Sequence, residues 1–163
     1  MIKNVRKSNS PKKDAIETAI QIAKHDWIIT TDADCLVQKD WLTTFDQYIQ
    51  ENEVEMVASW VCYVPKSGFL SAFQNLDFLS LQGATIGSFG INQPFMCNGA
   101  YFAYSKSFFK ELNGFQGNET IASGDDVFLL QKAVSVAPKK VGFLLAKESI
   151  VATNPVATWS DLF

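Results

Sequence analysis

The sequence predicts an α/β domain in which helices are layered on a mixed β-sheet. Segments with helical periodicity alternate with short apolar segments typical of strands. Glycine, proline and asparagine residues separate these segments at the positions where turns are expected. The 163 residues, 47% of them hydrophobic and 13% aromatic, are enough for one sizeable core. We therefore expect a single domain, without an internal repeat or a linker.

The first predicted elements are a helix, a buried strand and a second helix. Ser10 is a favourable N-cap and Pro11 suits the first helical position, so with the apolar spacing that follows they predict a helix over residues 11–24. Bulky and β-branched side chains predict a strand over residues 27–31. Asp40 then opens a helix whose aromatic side chains share one face.

The middle of the chain is predicted to contain a strand, a long helix and a loop. Alternate residues are apolar over residues 54–64, and Pro65 ends the run. Apolar residues at helical spacing predict a helix from Phe69 to about Gly83. Further glycines, Gly87 and Gly90, then favour a loop.

The last third is predicted to contain two helices and three short strands. Asn113-Gly114 predicts a left-handed cap at the end of the first helix, and Pro138 ends the second helix, which Gly124 precedes. The predicted elements are a strand over 100–104, a helix over 106–112, a helix after residue 124, and strands over 141–146 and 148–153. Residues 158–161 read as a helix start, and both ends of the chain read as cut, which predicts part of a larger fold.

Composition excludes several classes of function. The net charge of −3 and the lack of a basic stripe give no reason to expect a nucleic-acid partner. The cysteines, Cys35, Cys62 and Cys97, form no CxxC pair and favour free thiols in a reducing cytoplasm. The N-terminus lacks the apolar core of a signal peptide, and the sequence has no apolar run of the roughly 20 residues that a membrane span needs.

Two acids directly after the first strand form the most informative motif. Asp32 and Asp34 share one side of an extended chain, and in a turn they still converge on one ion. Ligands of open α/β sheets gather beyond the carboxyl ends of strands, where these acids are expected. Because two carboxylates repel each other unless a hard cation lies between them, we expect Mg²⁺ or Mn²⁺ to hold a phosphorylated ligand there.

Two further motifs bear on chemistry. Asp125 and Asp126 open a helix after Gly124; acids at that place are either ordinary helix caps or a general base near the acid pair. Asn98-Gly99 precedes a strand, and it is either an ordinary turn or a place of close backbone approach beside an amide that donates and accepts hydrogen bonds.

Together these motifs resemble those of the family 2 glycosyltransferases. The resemblance runs from about Lys12 to Thr158, and the segment Lys12-Lys13-Asp14-Ala15 is similar to that family's lysine-alanine segment. The motifs that carry it, in the family's order and spacing, are Asp32-Ala33-Asp34, Asn98-Gly99-Ala100 and Gly124-Asp125-Asp126. The resemblance implies a GT-A fold, with a mixed, mainly parallel sheet and helices on both faces. It also implies a partial catalytic domain, without the family's N-terminal nucleotide-binding half and C-terminal extension.

The resemblance further implies a role for each acid. Asp34 would hold a Mg²⁺ or Mn²⁺ ion on the donor diphosphate, and Asp32 would assist it or contact the ribose and the sugar. Asp126 would be the catalytic base that takes a proton from the acceptor hydroxyl, with Asp125 shaping the pocket. The implied reaction is a metal-dependent transfer that inverts the anomeric carbon.

Other implied features concern the substrates and the surroundings. Asn98 and Gly99 would line the donor and acceptor pocket, and Lys13 would either help neutralise a phosphate or remain a solvated lysine at the helix start. The implied donor is a nucleotide-sugar, in first place a UDP-sugar. The implied acceptor is a saccharide or a lipid-linked group in polysaccharide or glycolipid synthesis. Contact with the cytoplasmic face of a membrane would require segments absent from this chain.

Two alternatives compete with a transferase. A phosphatase of the haloacid-dehalogenase type also places Asp-x-Asp after an apolar strand, but it needs Thr or Val where this chain has Leu36 and an acid where it has Leu129. The other alternative is a fragment that binds a nucleotide without turnover.

Overall fold

The computed structural model describes residues 3–118 and 123–162, whose helices and strands follow the predicted order apart from an additional short strand at residues 36–37 and a division of the strand predicted over residues 54–64. In chain order these are α1 (Pro11–Ile22), β1 (Trp27–Thr30), β2 (Leu36–Val37), α2 (Trp41–Glu51), β3 (Met56–Ser59), β4 (Val61–Tyr63), α3 (Phe69–Gly90), β5 (Phe102–Ser105), α4 (Lys106–Glu111), α5 (Asp125–Val136), β6 (Val141–Leu144), β7 (Val151–Thr153) and α6 (Trp159–Leu162). Short 3₁₀ turns occupy Gly99–Tyr101, Pro138–Lys140 and Lys147–Ser149. The α/β class is therefore confirmed.

The strands form two mixed sheets. One has the order β1-β5-β3-β6 and the other the order β2-β7-β4. Strand β5 runs antiparallel to both β1 and β3, and β7 runs antiparallel to β2, whereas β3 with β6 and β4 with β7 are parallel. The expectation of a mainly parallel sheet is wrong for the described residues. Thr30 and Ala58 both pair with Phe102, so β5 begins at the end of the sheet where β1 and β3 finish. Between β3 and β5, the chain passes through β4 and α3 and returns to this same end of the sheet.

Helices cover both faces of the four-stranded sheet, as predicted. Side chains alternate along a strand, so Met56 and Phe102 face one side while Val57 and Ala103 face the other. The first side packs against buried residues of α1, α4 and α5, and the second packs against buried residues of α2. All four strand residues are buried, which places the centre of the core at β3 and β5.

Three local features differ from or sharpen the predictions. The strand predicted over residues 54–64 is divided at Trp60, with β3 in one sheet and β4 in the other. The predicted loop at Gly87 and Gly90 is wrong, because α3 continues to Gly90 with polar side chains buried along its last turns. The left-handed cap after α4 is confirmed, since φ is 56° at Asn113 and 48° at Gly114.

Within the described part of the chain, no helix is both long enough and apolar enough to cross a bilayer.

Candidate active site at the carboxyl ends of β1 and β3

The loop before β5 is fixed against the end of β1. The Thr30 hydroxyl lies 3.0 Å from the carbonyl oxygens of both Gly99 and Phe102, to which it donates. The Asn98 side chain caps the 3₁₀ turn by accepting a hydrogen bond of 2.9 Å from the backbone N–H of Ala100. These contacts hold Gly99 beside the carboxyl ends of the strands, where α/β sheets bind ligands.

A carboxylate, an ammonium and a glycine meet at this loop. A Cβ atom built on Gly99 would lie 3.0 Å from Asp126 Oδ2 and 3.3 Å from Lys12 Nζ. Glycine therefore allows the two charged groups to approach the backbone closely. Lys12 Nζ also lies 3.5 Å from Asp32 Oδ1. The structure thus brings Asp32, Gly99 and Asp126 together around Lys12, although α1, β5 and α5 are far apart in sequence.

The acid pair lies in a tight, exposed turn. The backbone N–H of Cys35 donates to the Asp32 carbonyl at 3.1 Å, which closes the turn. Asp34 Oδ2 accepts a hydrogen bond of 3.2 Å from the Thr153 hydroxyl on β7. Strand β2, which follows the turn, pairs with β7 and fixes this side. Asp32 is therefore held by α1 and Asp34 by β7.

This donor set fits a hard divalent cation that also binds phosphate. Both carboxylates are exposed, and the described residues contain no group of three or more His, Cys, Asp or Glu side chains that could hold a metal. Mg²⁺ and similar ions are usually held by one or two carboxylates, with phosphate oxygens and water completing the shell. Asp32 and Asp34 supply such a pair.

Burial raises the pKa of the Asp126 carboxyl above its ordinary value of 3.8. The backbone N–H of Val127 opposes this effect, the neighbouring Asp125 adds to it, and the charge of Lys12 opposes it. Burial also raises the pKa of the Cys97 thiol well above its usual range, and the charges of Asp126 and Asp125 raise it further. Cys97 is therefore a protonated thiol at neutral pH rather than a nucleophile.

The two neighbouring acids of α5 differ in environment. Asp125 is buried, whereas Asp126 is partly exposed and lies against Gly99. Both line a small cavity that also includes Thr30 and Tyr104. Burial raises the pKa of the Tyr104 phenol, and the charge of Asp125 raises it further, so this hydroxyl stays protonated. Asp125 therefore belongs to the wall of the cavity and Asp126 to its open side.

The two lysines at the start of α1 have different surroundings from those expected. Lys13 is not a solvated lysine: it is 2% exposed and donates to the Asn118 carbonyl at 2.5 Å. The lysine among the acids is Lys12, which the sequence reasoning did not single out. The helical spacing of Lys13 with the apolar Ile16 and Ile20 indicates that Lys13 is on the buried side of α1, because residues at i, i+3 and i+7 share a face. A phosphate role for Lys13 stays a prediction, and these contacts favour Lys12 for it.

The sequence matches a family model described as Glycosyl transferase family 2 over residues 2–113. The fold is similar to glucosyl-3-phosphoglycerate synthase from Mycobacterium tuberculosis in complex with Mn²⁺ and UDP-glucose, with a TM-score of 0.54, 11% identity, and coverage of 97% of this chain and 51% of the synthase. The phosphoglyceric acid complex of the synthase gives a TM-score of 0.53, 14% identity and the same coverage. The chain therefore spans about half the length of this synthase. No curated protein matches the sequence.

Proposed function

We propose, since the chain belongs to glycosyl transferase family 2, that it forms part of a site that moves a sugar from a nucleotide-sugar to an acceptor hydroxyl. This membership confirms the family resemblance; the matched residues 2–113 include the motifs at Asp32-Ala33-Asp34 and Asn98-Gly99-Ala100, whereas Gly124-Asp125-Asp126 lies beyond them. The phosphatase alternative is set aside for the same reason. The observation that carries the proposal is the meeting of Asp126, Gly99 and Asp32 around Lys12 at the carboxyl ends of two strands.

The acid pair is proposed to bind the donor. Asp34 and Asp32 would hold Mg²⁺ or Mn²⁺ against the diphosphate, and the exposed position of both carboxylates leaves room for phosphate oxygens. When bound, the cation supplies charge stabilisation for the departing diphosphate. The Mn²⁺ and UDP-glucose of the related synthase structure support a UDP-sugar donor and favour Mn²⁺ for the first experiments. Asn98 and Gly99 would line the pocket for the sugar and the acceptor.

Asp126 is proposed to be the catalytic base. Its carboxylate would take the proton of the acceptor hydroxyl while the acceptor oxygen forms a bond to the anomeric carbon. The bond from that carbon to the diphosphate oxygen breaks on the opposite side, which inverts the configuration. A raised pKa makes Asp126 a stronger base than an ordinary carboxylate, while Lys12 favours its ionised form. Asp125 would shape the wall behind it.

Calorimetry tests the donor part of the proposal. UDP is expected to bind the chain in the presence of Mn²⁺ and to bind much more weakly in its absence. Asp34→Ala is expected to abolish this metal-dependent binding, because it removes one of the two proposed ligands. Asp46→Ala, which removes an exposed carboxylate on α2, is the matched control and should leave the affinity unchanged. An equal UDP affinity in Asp34→Ala would refute the metal role.

Sugar transfer is tested with UDP-sugars and candidate acceptors. Asp126→Asn is expected to keep UDP-sugar binding and to remove sugar transfer, because the amide accepts no proton at neutral pH. Retained turnover would assign the base to another residue. A chain that binds UDP with Mn²⁺ but never releases UDP from any UDP-sugar would favour the nucleotide-binding alternative. A saccharide or lipid-linked acceptor and a cytoplasmic location stay predictions.

A further inference from the structure

Helix α3 exposes much of its apolar surface. Its buried residues are all polar, namely Ser71, Gln74, Gln82, Thr85 and Ser88, while Phe78 and Phe89 are partly buried against the core. Its exposed side chains include large apolar ones: Phe69 is 79% exposed, Leu76 is 73% exposed, and Phe73 and Leu79 are about half exposed. A surface helix normally buries its apolar stripe. The outward side of α3 is therefore an apolar surface, and surfaces of this kind mark interaction sites.

The inward polar contacts hold this orientation in place. The Gln74 side chain accepts a hydrogen bond of 3.0 Å from the Val156 N–H and donates one of 3.1 Å to the Val156 carbonyl. On the same side Phe78 packs against Tyr63, with ring centroids 4.6 Å apart. Rotating α3 to bury its outward side would break these contacts, so the exposed apolar side is a property of the fold.

The outward side has a bulky half and a small half. Phe69, Phe73 and Leu76 share one face by helical spacing, and Trp159 of α6 extends it, with ring centroids 6.2 Å from Phe69 and 5.6 Å from Phe73. The same face continues toward the C-terminus with the small residues Ser80, Gly83, Ala84, Gly87 and Gly90. A Cβ built on Gly83, Gly87 or Gly90 meets no atom within 4 Å, so the space over the small half is open.

We propose that this outward face of α3 binds the same face of a second copy of the chain, with the two helices antiparallel. An antiparallel pair centred between residues 79 and 80 places Phe69 opposite Gly90, and Leu76 opposite Gly83. Phe73 then lies close to Gly87 of the other copy. Each bulky half fills the small half of the other copy, so the surface is complementary to itself, as a two-fold interface requires.

The area fits a stable dimer. Taking about 200 Å² for a fully exposed large side chain, the exposed parts of Phe69, Phe73, Leu76, Leu79 and Trp159 amount to roughly 600 Å² per copy. Two copies then bury roughly 1,200 Å², which reaches the range of specific interfaces. Asp77 is the one charged residue in the 22 residues of α3, so few charges lose water on association.

Sedimentation velocity of the chain across a wide range of concentrations tests the proposal, with a monomer–dimer equilibrium as the expected result. Gly87→Leu places a bulky side chain where Phe73 of the second copy is proposed to lie, so it should raise the dimer Kd about tenfold or more. A Cβ at this position meets no atom within 4 Å, and leucine suits a helix better than glycine does, so the monomer should stay folded. Leu76→Lys should do the same. Leu42→Lys makes the same change at an exposed leucine on α2 and should leave the dimer unchanged.

A disulfide test checks the antiparallel arrangement. Ser80→Cys lies beside its own copy at the two-fold axis and should form a disulfide between chains, whereas Ala72→Cys lies opposite residue 87 and should not. A chain that is monomeric at every concentration, or a dimer insensitive to Gly87→Leu and Leu76→Lys, would overturn the proposal. So would a monomer that binds phosphatidylcholine vesicles and loses this binding in Leu76→Lys, because the face would then contact a bilayer.

Discussion

Gly99→Ala is the most direct perturbation of the proposed site. The added methyl group would lie 3.0 Å from Asp126 Oδ2, 3.3 Å from Lys12 Nζ and 3.4 Å from Asp126 Cγ. These distances are a few tenths of an ångström shorter than comfortable contacts, so the two side chains must move by about that amount. Since both neighbours are ends of side chains rather than backbone, we expect the free energy of unfolding to change by about 1 kcal/mol or less.

The effect on chemistry should be larger than the effect on stability. A misplacement of 1 Å can cost about 100-fold in rate, so a shift of a few tenths of an ångström at Asp126 should lower kcat about three- to tenfold. UDP affinity with Mn²⁺ should fall less than kcat, by a few-fold at most, because the added methyl group reaches Lys12, and through it Asp32, but adds no atom beside Asp34.

The assay is UDP release from a UDP-sugar, together with calorimetry of UDP binding. Thr43→Ala, a similarly small change at an exposed residue of α2, is the control and should change neither quantity. An unchanged kcat in Gly99→Ala would refute the placement of Asp126 at the reacting hydroxyl. A selective loss of UDP affinity would instead assign this loop to the diphosphate.

Three further predictions concern charge and packing. Lys12→Met should raise the pKa of Asp126, because it removes a charge that lowers it, while Lys12→Arg should preserve it; carboxyl ¹³C NMR titration measures both. Gly142→Ala would place a Cβ 2.6 Å from Tyr48 Oη, so we expect a loss of about 1–3 kcal/mol and a Tm several degrees lower, with partial recovery when Tyr48→Phe is added; unchanged thermal unfolding would contradict it. Burial opposes ionisation of Asp14, but hydrogen bonds from the preceding segment outweigh it and lower the pKa to about 2. Its stabilisation should therefore be complete above about pH 4 and be lost as the pH falls through about 2, and Asp14→Asn should weaken this acid dependence in pH-dependent unfolding.

The site was predictable from sequence to the extent that its groups follow local elements. Asp32 and Asp34 follow a strand whose β-branched side chains identify it, and Asp126 follows a glycine that begins a helix. Gly99 was also singled out, as a place of close backbone approach and, through the family resemblance, as part of the donor and acceptor pocket. That it approaches Asp126 follows from the pairing of β5 with β1 and β3, since this pairing brings residues far apart in sequence to one sheet end.

The order of the helices and of most strands, the left-handed cap at Asn113-Gly114 and the acids at element ends were determined by the sequence alone, because each depends on residues within a few positions of one another. The tertiary structure alone decided the antiparallel course of β5, the choice of Lys12 over Lys13 beside the acids, and the outward apolar face of α3. These features depend on which strand pairs with which and on what each helix packs against. Such contacts join residues that are far apart in the sequence, and a local pattern of residues does not determine which of these contacts form.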